Sequence, residues 1–453
     1  MTTRMENIIG IRREDPGKRG EKRVALIPEA VCALSQKNIR VIVQPAVHPH
    51  TGDIKRIFDD QTYRDAGAEI NEDISGANII FGLKEIDPAL ILPGKTYIFF
   101  SHTHKGQLKN RRMLQTLIDH QCTLIDFELM VNEKKQRTIT AFTYFAGYAG
   151  MVDTLWTLGQ RMKLAGVENP FSAIPQSIQK EDLTEIKAII SSVGQKIAAE
   201  GTPESFPPVI CCFLGNGKTS SGAQEIYNLL PVKKITPDQL PEVYSTGSRH
   251  QVYQLVLDIP EMFRLSANSP FAGESPDRKS LIDIYFREPQ HFESRLESVF
   301  PFVTIMMNCI IWSPKFPRLI TRENAAKWYK NHQTLQVIGD ISCDPEGAIH
   351  FSHETWIDDP VFIYNPLTGK SHQGFTGPGI AVMAVTNLPC EFSADASRQF
   401  SHNLAPVVEE IATADFSAVS PDSAGLPASV TAATIVWKGQ FTDDYRYMEK
   451  YLN

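Results

Sequence analysis

Two titratable side chains each follow an apolar run that is typical of a buried strand. Lys84 ends the run in "NIIFGLKE", and His102 ends the run in "TYIFFSH". Ligands of α/β sheets bind off the carboxyl ends of the strands, so we expect both groups to face one crevice. A lysine and a histidine placed together can act as general acid and base. The alternative is that each is only a solvated residue at the end of a strand.

A second histidine forms the pattern H-x-H with the first. His102 and His104 would face the same way in a strand and could supply half of a metal site. No third ligand is evident in the sequence, so we predict that the site binds no metal.

Three arginines crowd the first predicted strand and the loop after it, in "IGIRREDPGKRGEKRVALIPEAV". They are Arg12, Arg13 and Arg23. A guanidinium group matches a carboxylate with two parallel hydrogen bonds, which suggests a clamp for an acidic substrate. The alternative is a solvated basic loop.

The stretch "FLGNGKTSSG" resembles two nucleotide motifs and satisfies neither. A P-loop requires a glycine where Cys212 stands, and the last glycine of G-x-G-x-x-G falls on Ser220. The flanking segments favour the dinucleotide motif, because "PVICCFLG" resembles a buried strand, "SSGAQEIYNLL" a helix and "VKKIT" a second strand.

In that interpretation the glycines have separate tasks. Gly215 and Gly217 allow a tight turn and close approach to a pyrophosphate at the helix N-terminus, and Gly222 lets the helix pack on the strand. The alternative is a turn with purely structural glycines.

The elements around these residues alternate between strand-like and helix-like segments. Strand patterns before residue 145 include "IRVIVQP" and "CTLIDFELM", and "PEAVCALSQKN" and "RRMLQTLIDHQ" have helical spacing. The tail returns to alternation in "LQVIGDISCD" and "GPGIAVMAVTNLP", whereas residues 265–290 are rich in Pro, Ser and Gly and predict a surface loop. The chain is therefore expected to be an α/β protein with parallel sheets.

Composition excludes several classes of protein. The 453 residues are 42% hydrophobic and carry a net charge of −7, which provides no basic surface for nucleic acid. The N-terminal stretch "MTTRMENIIGIRRED" has no apolar run of signal-peptide length, and the longest apolar run of the chain is too short to span a bilayer, so we expect no membrane association. Seven cysteines without a C-x-x-C pair favour a reduced cytoplasm.

Nine motifs occur in a fixed order along nearly the whole chain. They are "REDPGKRGEKRVALIPEAV", "GLKE", "TYIFFSHTHKGQ", "LIDFELMVN", "AFTYFAGYAGMVDTL", "GNGKTSSGAQEIYNLLP", "PRLITRENA", "GDISCDPEGAIHF" and "NLPCEFSADASRQF". In this order they resemble the lysine–2-oxoglutarate reductase family, which forms saccharopine and belongs to the wider alanine dehydrogenase and saccharopine dehydrogenase group.

The resemblance implies two doubly wound Rossmann-like domains, with the dinucleotide domain inserted into the substrate domain. We expect the substrate domain to comprise residues 1–145 and 345–453, and the dinucleotide domain to comprise residues 146–344. In many organisms this enzyme is the N-terminal half of a bifunctional chain. The present chain ends where that half would end, so we expect a stand-alone reductase.

The resemblance also implies roles for single residues. Lys84 and His102 would move protons during condensation of L-lysine with 2-oxoglutarate, with acidic groups beside them. Arginines of the first loop would bind the carboxylates, and two late acidic residues would lie near the nicotinamide. In full, the implied residues are Lys84, His102, Glu85 and Glu128 for catalysis, Arg12, Arg23 and Arg137 for substrate, and Asp340 and Asp344 for cofactor.

The cofactor prediction rests on a count. NAD-binding folds place an acid about 20 residues after the glycine turn. Here that count reaches Lys233 and Lys234, with no acid before Asp238, so we expect NADPH rather than NADH.

Two other functions remain open at this stage. One is the NAD-linked, lysine-forming saccharopine dehydrogenase, and the other is a nucleotide-binding regulatory module without activity. A homo-oligomer and an association with a separate saccharopine dehydrogenase are also left open.

Overall fold

The computed structural model describes residues 7–180, 182–271, 273 and 276–452. The chain forms two compact units. The first consists of the residues up to Phe142 and those from Ser393 onward, and the second is Thr143–Phe392. Within the described residues, no helix combines the length and the apolar character needed to cross a bilayer.

The first unit is built on an eight-stranded sheet in the order β18-β17-β6-β5-β4-β1-β2-β3. Strands β1 to β6 are parallel, and β17 runs antiparallel to both β6 and β18. The strands are β1 (Ile8–Ile11), β2 (Arg40–Val43), β3 (Glu69–Ile70), β4 (Ile79–Phe81), β5 (Thr96–Phe99), β6 (Thr123–Asp126), β17 (Thr434–Trp437) and β18 (Gln440–Phe441).

Helices cover both faces of this sheet, and consecutive strand residues alternate between two apolar clusters. Ile79 and Phe81 of β4 belong to one cluster and Ile80 to the other. Burial on both faces explains why these strands are almost continuously hydrophobic. The helices are α1 (Pro28–Ser35), α2 (Asp60–Asp65), α3 (Arg111–Asp119), α11 (Ser393–Thr413) and α12 (Ala428–Ala432), with a 3-10 helix at Asp443–Tyr451.

The second unit has its own eight-stranded sheet, in the order β15-β14-β16-β13-β12-β7-β9-β8. The six strands from β16 to β8 are parallel, and β14 is antiparallel to both β16 and β15. The strands are β7 (Ile210–Leu214), β8 (Val232–Lys234), β9 (Val252–Leu257), β12 (Ile305–Asn308), β13 (Val337–Asp340), β14 (Val361–Asn365), β15 (Lys370–Gln373) and β16 (Ile380–Met383), with a separate hairpin of β10 (Phe263–Leu265) and β11 (Phe292–Ser294).

The helices of the second unit follow the same alternation. The chain enters the unit within α4 (Ala141–Leu164). The remaining helices are α5 (Leu183–Glu200), α6 (Lys218–Tyr227), α7 (Leu240–Thr246), α8 (Ile259–Met262), α9 (Arg278–Arg287) and α10 (Arg322–Asn331).

Two expectations differ from this architecture. Residues 345–392, which we expected in the substrate domain, lie in the second unit because β16 pairs with β13 and extends that sheet through β14 and β15. The predicted surface loop at 265–290 contains helix α9, whose N-cap Asp277 accepts a hydrogen bond from the amide of Ser280. The two α/β sheets themselves confirm the predicted fold class.

Candidate active site

Four neighbouring strands of the first sheet lead directly into charged residues. Strands β6, β5, β4 and β1 lie side by side and run parallel. Their carboxyl ends are followed by Glu128, His102, Lys84 and Arg12. The structure therefore brings the predicted proton-transfer residues to one edge of one sheet.

The side chain of His102 contacts that of Glu85 at this edge. The Nδ1 atom of His102 lies 2.7 Å from the Oε1 atom of Glu85, and Lys18 Nζ lies 2.6 Å from Oε2. Burial raises the pKa of Glu85, but the hydrogen bonds from His102 and Lys18 outweigh it and hold that pKa far below its usual range. Glu85 is therefore an anion that orients the imidazole. Lys18 was not identified from the sequence, because it lies in a loop without a regular pattern.

The backbone at Lys84 is held by a buried carboxylate. Glu14 accepts hydrogen bonds from the amides of Leu83 at 2.7 Å and Lys84 at 3.0 Å. Burial is the main cause of the raised pKa of Glu14. The Lys84 side chain is half-buried, and its amine forms no ion pair with the described residues. Lys84 is thus fixed at its backbone while its amine remains available.

Arg12 contributes to the same loop. It is buried, pairs with Glu14 at 3.3 Å and Asp15 at 3.4 Å, and donates a hydrogen bond to the carbonyl of Lys84. Its predicted role as a carboxylate ligand is untested, and in this structure the guanidinium holds the Lys84 loop.

A second buried carboxylate joins the ends of β5 and β6. Asp126 accepts hydrogen bonds from the amide of Ser101 at 3.0 Å and that of Glu128 at 2.8 Å. His102, which directly follows Ser101, has a φ of 49°. This left-handed conformation costs roughly 1–2 kcal/mol in a residue with a side chain. Asn110 donates hydrogen bonds to the carbonyls of Ser101 and His102, each at 3.1 Å, and so supports the strained backbone.

Glu128 forms ion pairs with two further cations at this edge. Lys105 lies 3.1 Å and Arg137 2.7 Å from its Oε1 atom. Burial raises the pKa of Glu128, but the neighbouring cations, with Lys105 foremost, lower it overall. The Arg137 side chain is 52% exposed, so this predicted substrate ligand lies at the rim of the site.

The H-x-H pair does not converge on one point. His102 contacts Glu85, whereas Nδ1 of His104 lies 3.8 Å from Glu128. Because His102 lies beyond the end of β5 and has a positive φ, the two rings do not follow the alternation of a strand. The absence of a metal from the reaction stays a prediction.

Arg23, the third predicted carboxylate ligand, is buried beside an acid. Its Nε and Nη2 atoms donate to the two oxygens of Glu21 at 2.8 and 2.6 Å. The guanidinium also lies 4.1 Å from the centre of the Phe142 ring. Arg23 is therefore rigidly positioned, and its contact with substrate stays a prediction.

The glycine-rich turn of the second unit follows β7 and begins α6. Gly215 has a φ of 99°, which explains the need for glycine, and Gly217 is the N-cap with open space around its Cα. The first turn of α6 presents backbone amides toward that space. These features fit the pyrophosphate of a dinucleotide.

Gly222 packs differently from our expectation. A methyl group added there would lie 2.4 Å from the carbonyl oxygen of Tyr144, and one added at Gly147 would lie 2.2 Å from that of Thr219. Gly222 therefore lets α6 approach helix α4 and not the strand. The expectation was wrong because α4 covers this face of α6.

The predicted cofactor residues Lys233 and Lys234 are exposed on β8, the edge strand. Strand β9 lies between β8 and β7, and Lys234 is level with Gln254 in the middle of β9. The structure therefore does not bring these lysines to the glycine turn. It places Asp258 there, directly after β9. The run "VYQLVLD" is a sequence signal for this acid that our count did not reach.

Asp340 ends β13, two strands from β7 on the other side. It accepts hydrogen bonds from the side-chain amide of Asn308 at 2.7 Å and from the backbone of Cys343 at 3.3 Å. Burial raises the pKa of Asp340 to about 6 and also raises that of half-buried Asp344. Both acids lie at the carboxyl edge that carries Gly215, and their contact with cofactor stays a prediction.

Curated relatives match nearly the whole chain. Alpha-aminoadipic semialdehyde synthase of Arabidopsis thaliana is 33% identical over 98% of this chain, and the mitochondrial enzyme of Rattus norvegicus is 30% identical over 98%. The chain covers 41% and 48% of these two proteins, so it spans about half their length. Saccharopine dehydrogenase [NAD(+), L-lysine-forming] of Neurospora crassa is 25% identical over 85% of this chain and 87% of its own. These names confirm the resemblance seen in the sequence.

Solved structures and family models agree on the architecture. An L-alanine dehydrogenase superposes with a TM-score of 0.63 at 17% identity, covering 98% of this chain and all of that one. A transhydrogenase from Sinorhizobium meliloti superposes at 0.56 with 15% identity, covering 96% of this chain and all of its own. The model of the alanine dehydrogenase/PNT N-terminal domain matches residues 10–149, and that of the C-terminal domain matches residues 302–444. The chain therefore belongs to the alanine dehydrogenase/PNT family.

Proposed function

We propose that this chain condenses the ε-amine of L-lysine with the keto carbon of 2-oxoglutarate and reduces the product to saccharopine with NADPH. The observation that carries the proposal is the His102–Glu85 contact beside Lys84, at the edge where four strands end. The relatives named for saccharopine and for aminoadipic semialdehyde support the choice of substrates.

The reaction requires proton transfer at two atoms. The ε-ammonium of lysine must lose a proton before its nitrogen attacks the keto carbon. The oxygen of the resulting carbinolamine must gain protons, because it leaves as water when the imine forms. A nicotinamide dinucleotide held at the glycine turn of Gly215 and Gly217 would supply the hydride that reduces the imine carbon. Overall, one proton is consumed and one water is released.

His102 is suited to move these protons. Because Nδ1 is held by Glu85, Nε2 is the ring nitrogen left to face a substrate. Lys84 offers a second proton site on a backbone fixed by Glu14. We assign base catalysis to the pair and not to Lys84 alone, because His102 is the group whose ring is oriented by a carboxylate.

The three carboxylates of saccharopine need cationic partners. We assign this binding to Arg23, which is rigid, and Arg137, which lies at the rim and can exchange Glu128 for substrate. Arg12 would act mainly by positioning Lys84, since its guanidinium contacts Glu14 and the Lys84 carbonyl. Glu128 would restrain Arg137 until substrate enters.

The turn at Gly215 and Gly217 would hold the pyrophosphate of the cofactor, with amides of the first turn of α6 as donors. NADPH remains our predicted cofactor. The lysines of β8 no longer support this prediction. Its support is Arg278, whose Nη2 atom lies 2.9 Å from Oδ2 of Asp258. Cytoplasmic location and association with a separate saccharopine dehydrogenase stay predictions.

A second candidate is the opposite direction of the same chemistry, in which NAD⁺ oxidises saccharopine and lysine is formed. Its support is the fungal relatives named for that reaction, of which this chain covers 87–91%. Hydrolysis of the imine would then require the same proton transfers in reverse.

The test is a steady-state assay that follows NADPH oxidation. We expect oxidation only when lysine and 2-oxoglutarate are both present, and none with ammonia and pyruvate, the substrates of an alanine dehydrogenase. A clear kcat/KM preference for saccharopine with NAD⁺ would favour the second candidate. Binding of NADPH without turnover of any of these substrates would favour a regulatory module.

A further inference from the structure

We infer that the Asp258–Arg278 ion pair, and not Lys233 or Lys234, decides whether this chain prefers NADPH or NADH. The inference rests on the proposed use of a dinucleotide at the glycine turn. It concerns only the second unit and does not depend on the identity of the substrates.

The position of Asp258 follows from the sheet order. Strand β9 is the neighbour of β7 on the side of β8, and the amide of Gly215 donates to the carbonyl of Leu257 at 2.8 Å. Asp258 is the next residue, so its backbone begins within about 4 Å of that contact. In dinucleotide-binding sheets the group at the end of this neighbouring strand meets the adenosine ribose.

Asp258 is already engaged with a cation. Its Oδ2 atom lies 2.9 Å from Nη2 of Arg278, and its Oδ1 atom accepts a hydrogen bond from the amide of Ile259 at 2.9 Å. Arg278 also pairs with Glu261. The side chains of Asp258 and Arg278 are 38% and 55% exposed, so a ligand can reach both.

NADPH and NADH would favour opposite arrangements of the Asp258–Arg278 ion pair. A ribose diol donates hydrogen bonds to a carboxylate, whereas a 2′-phosphate is repelled by a carboxylate and is bound by a guanidinium. Binding of NADPH therefore requires Arg278 to turn from Asp258 to the phosphate. Binding of NADH requires Asp258 to turn from Arg278 to the diol. The preference depends on both side chains.

Lys233 and Lys234 of β8 lie too far from Asp258, along the strand direction, to share its site. Lys234 is level with Gln254, and β9 continues for three more residues before Asp258. Asp258 lies four residues beyond Gln254, and at about 3.3 Å per residue that separation is roughly 13 Å along the strand direction. Their amines are solvated at the edge of the sheet.

The test is fluorescence titration of the full chain with NADPH and with NADH, without substrates. We expect Arg278→Gln to lower the NADPH:NADH affinity ratio by about tenfold, the loss of one charge-assisted contact. We expect Asp258→Asn, which keeps an oxygen for the amide of Ile259, to raise that ratio by a similar factor. These directions hold whichever cofactor the unaltered chain prefers.

Two controls are matched to these changes. Arg264 is exposed and bridges Glu293 and Glu297 in the same unit, so Arg264→Gln removes a comparable arginine away from the turn. The double variant Lys233→Gln/Lys234→Gln removes the sequence-predicted cations. Both should leave the ratio within twofold.

An unchanged ratio in Arg278→Gln, or a fall in the ratio in the lysine variant, would overturn the inference. Failure of the unaltered chain to bind either dinucleotide would overturn this inference and the proposed cofactor together. Normal binding with the expected ratios but without turnover of lysine would support this inference while contradicting the proposed function.

Discussion

Lys84 and His102 differ in how their side chains are held. The imidazole of His102 is fixed by Glu85 at 2.7 Å, whereas Lys84 is fixed at its backbone by Glu14. An imidazole with a fixed orientation and an amine without an ion pair among the described residues suit two successive proton transfers.

Replacing either group is expected to reduce turnover. We expect Lys84→Met and His102→Gln each to lower kcat by a factor on the order of 10²–10⁴, the usual loss of a general acid or base. The double variant should lose less than the product of the two factors, because both groups serve one proton path. The measurement is kcat beside NADPH affinity, which should be nearly unchanged.

Lys95→Met is the matched control for Lys84→Met. Lys95 precedes β5, at the opposite end of the same sheet, and donates a hydrogen bond to the carbonyl of Ser75. Its replacement should leave kcat within about twofold. Near-normal turnover of Lys84→Met would remove Lys84 from the mechanism.

At this scale the sequence predicted the residues at strand ends and missed those that position them. Apolar runs that end in a charged residue identified Lys84 and His102, and the family resemblance implied Glu85. Glu14 and Asp126 were missed, because they act through backbone amides whose conformation no local pattern encodes.

Helices α4 and α6 pack closely because each has a glycine where the two helices meet. Gly147 on α4 and Gly222 on α6 meet the backbone of the opposite helix, so the two helices are closely apposed. Since α6 begins at the glycine turn, this contact also fixes the direction of its N-terminus.

An alanine at this crossing should destabilise the fold. A methyl group at Gly147 would approach backbone atoms that cannot move aside as a side chain would, so Gly147→Ala should lower the free energy of unfolding by about 1–3 kcal/mol. Denaturant unfolding measures the change. Gly76→Ala, whose new methyl group would have no neighbour closer than 3.6 Å, should change it by less than about 0.5 kcal/mol. Equal stability of the two variants would contradict this packing.

A buried carboxyl pair links α4 to the turn at Leu388–Phe392. Asp153 accepts hydrogen bonds from the amide and hydroxyl of Ser177 at 2.9 and 2.8 Å, and Glu391 lies beside it. Burial raises the pKa of both groups, that of Asp153 to about 6. The pair therefore keeps a proton in the folded state at a pH where the unfolded chain has lost it.

This pair predicts a pH dependence of stability. Because the folded pKa is raised, its stabilising contribution is complete below the unfolded value near 4 and is lost as the pH rises through about 6. Glu391→Gln removes one charge, so it should be more stable than the unaltered chain at pH 8 by about 1–3 kcal/mol. The difference should shrink or reverse at pH 4.

Urea unfolding across pH 4–8 measures this effect. Glu168→Gln, an exposed change in the same unit, should show no such trend. A Glu391→Gln variant that is less stable at every pH would show that the pair is held by something other than a retained proton.

The order of the strands in the second sheet could not be predicted from the sequence. Strand patterns located β7 and β8 but not β9. Chain order suggested that β8 adjoins β7, whereas the structure places β9 between them. The neighbour of a parallel strand is decided by long-range packing, so counting residues from Gly215 led to Lys233 and Lys234 and not to Asp258.

For the whole molecule, alternation of strands and helices predicted an α/β protein, and the family resemblance implied two doubly wound domains. The structure has two α/β sheets. The boundary of the second unit was misplaced by 48 residues, from 344 to 392, because β14 to β16 could join either sheet on pattern alone. Only their pairing with β13 assigns them to the second unit.

The central claim is that the ε-nitrogen of lysine becomes bonded to carbon 2 of 2-oxoglutarate. Its most direct test is a single turnover of the full chain with ε-¹⁵N-lysine, 2-oxoglutarate and NADPH, followed by mass spectrometry of the product. We predict a product with the mass of saccharopine, in which fragments of the glutarate moiety retain ¹⁵N. A product in which ¹⁵N remains only in lysine, or NADPH oxidation that gives 2-hydroxyglutarate, would contradict the claim.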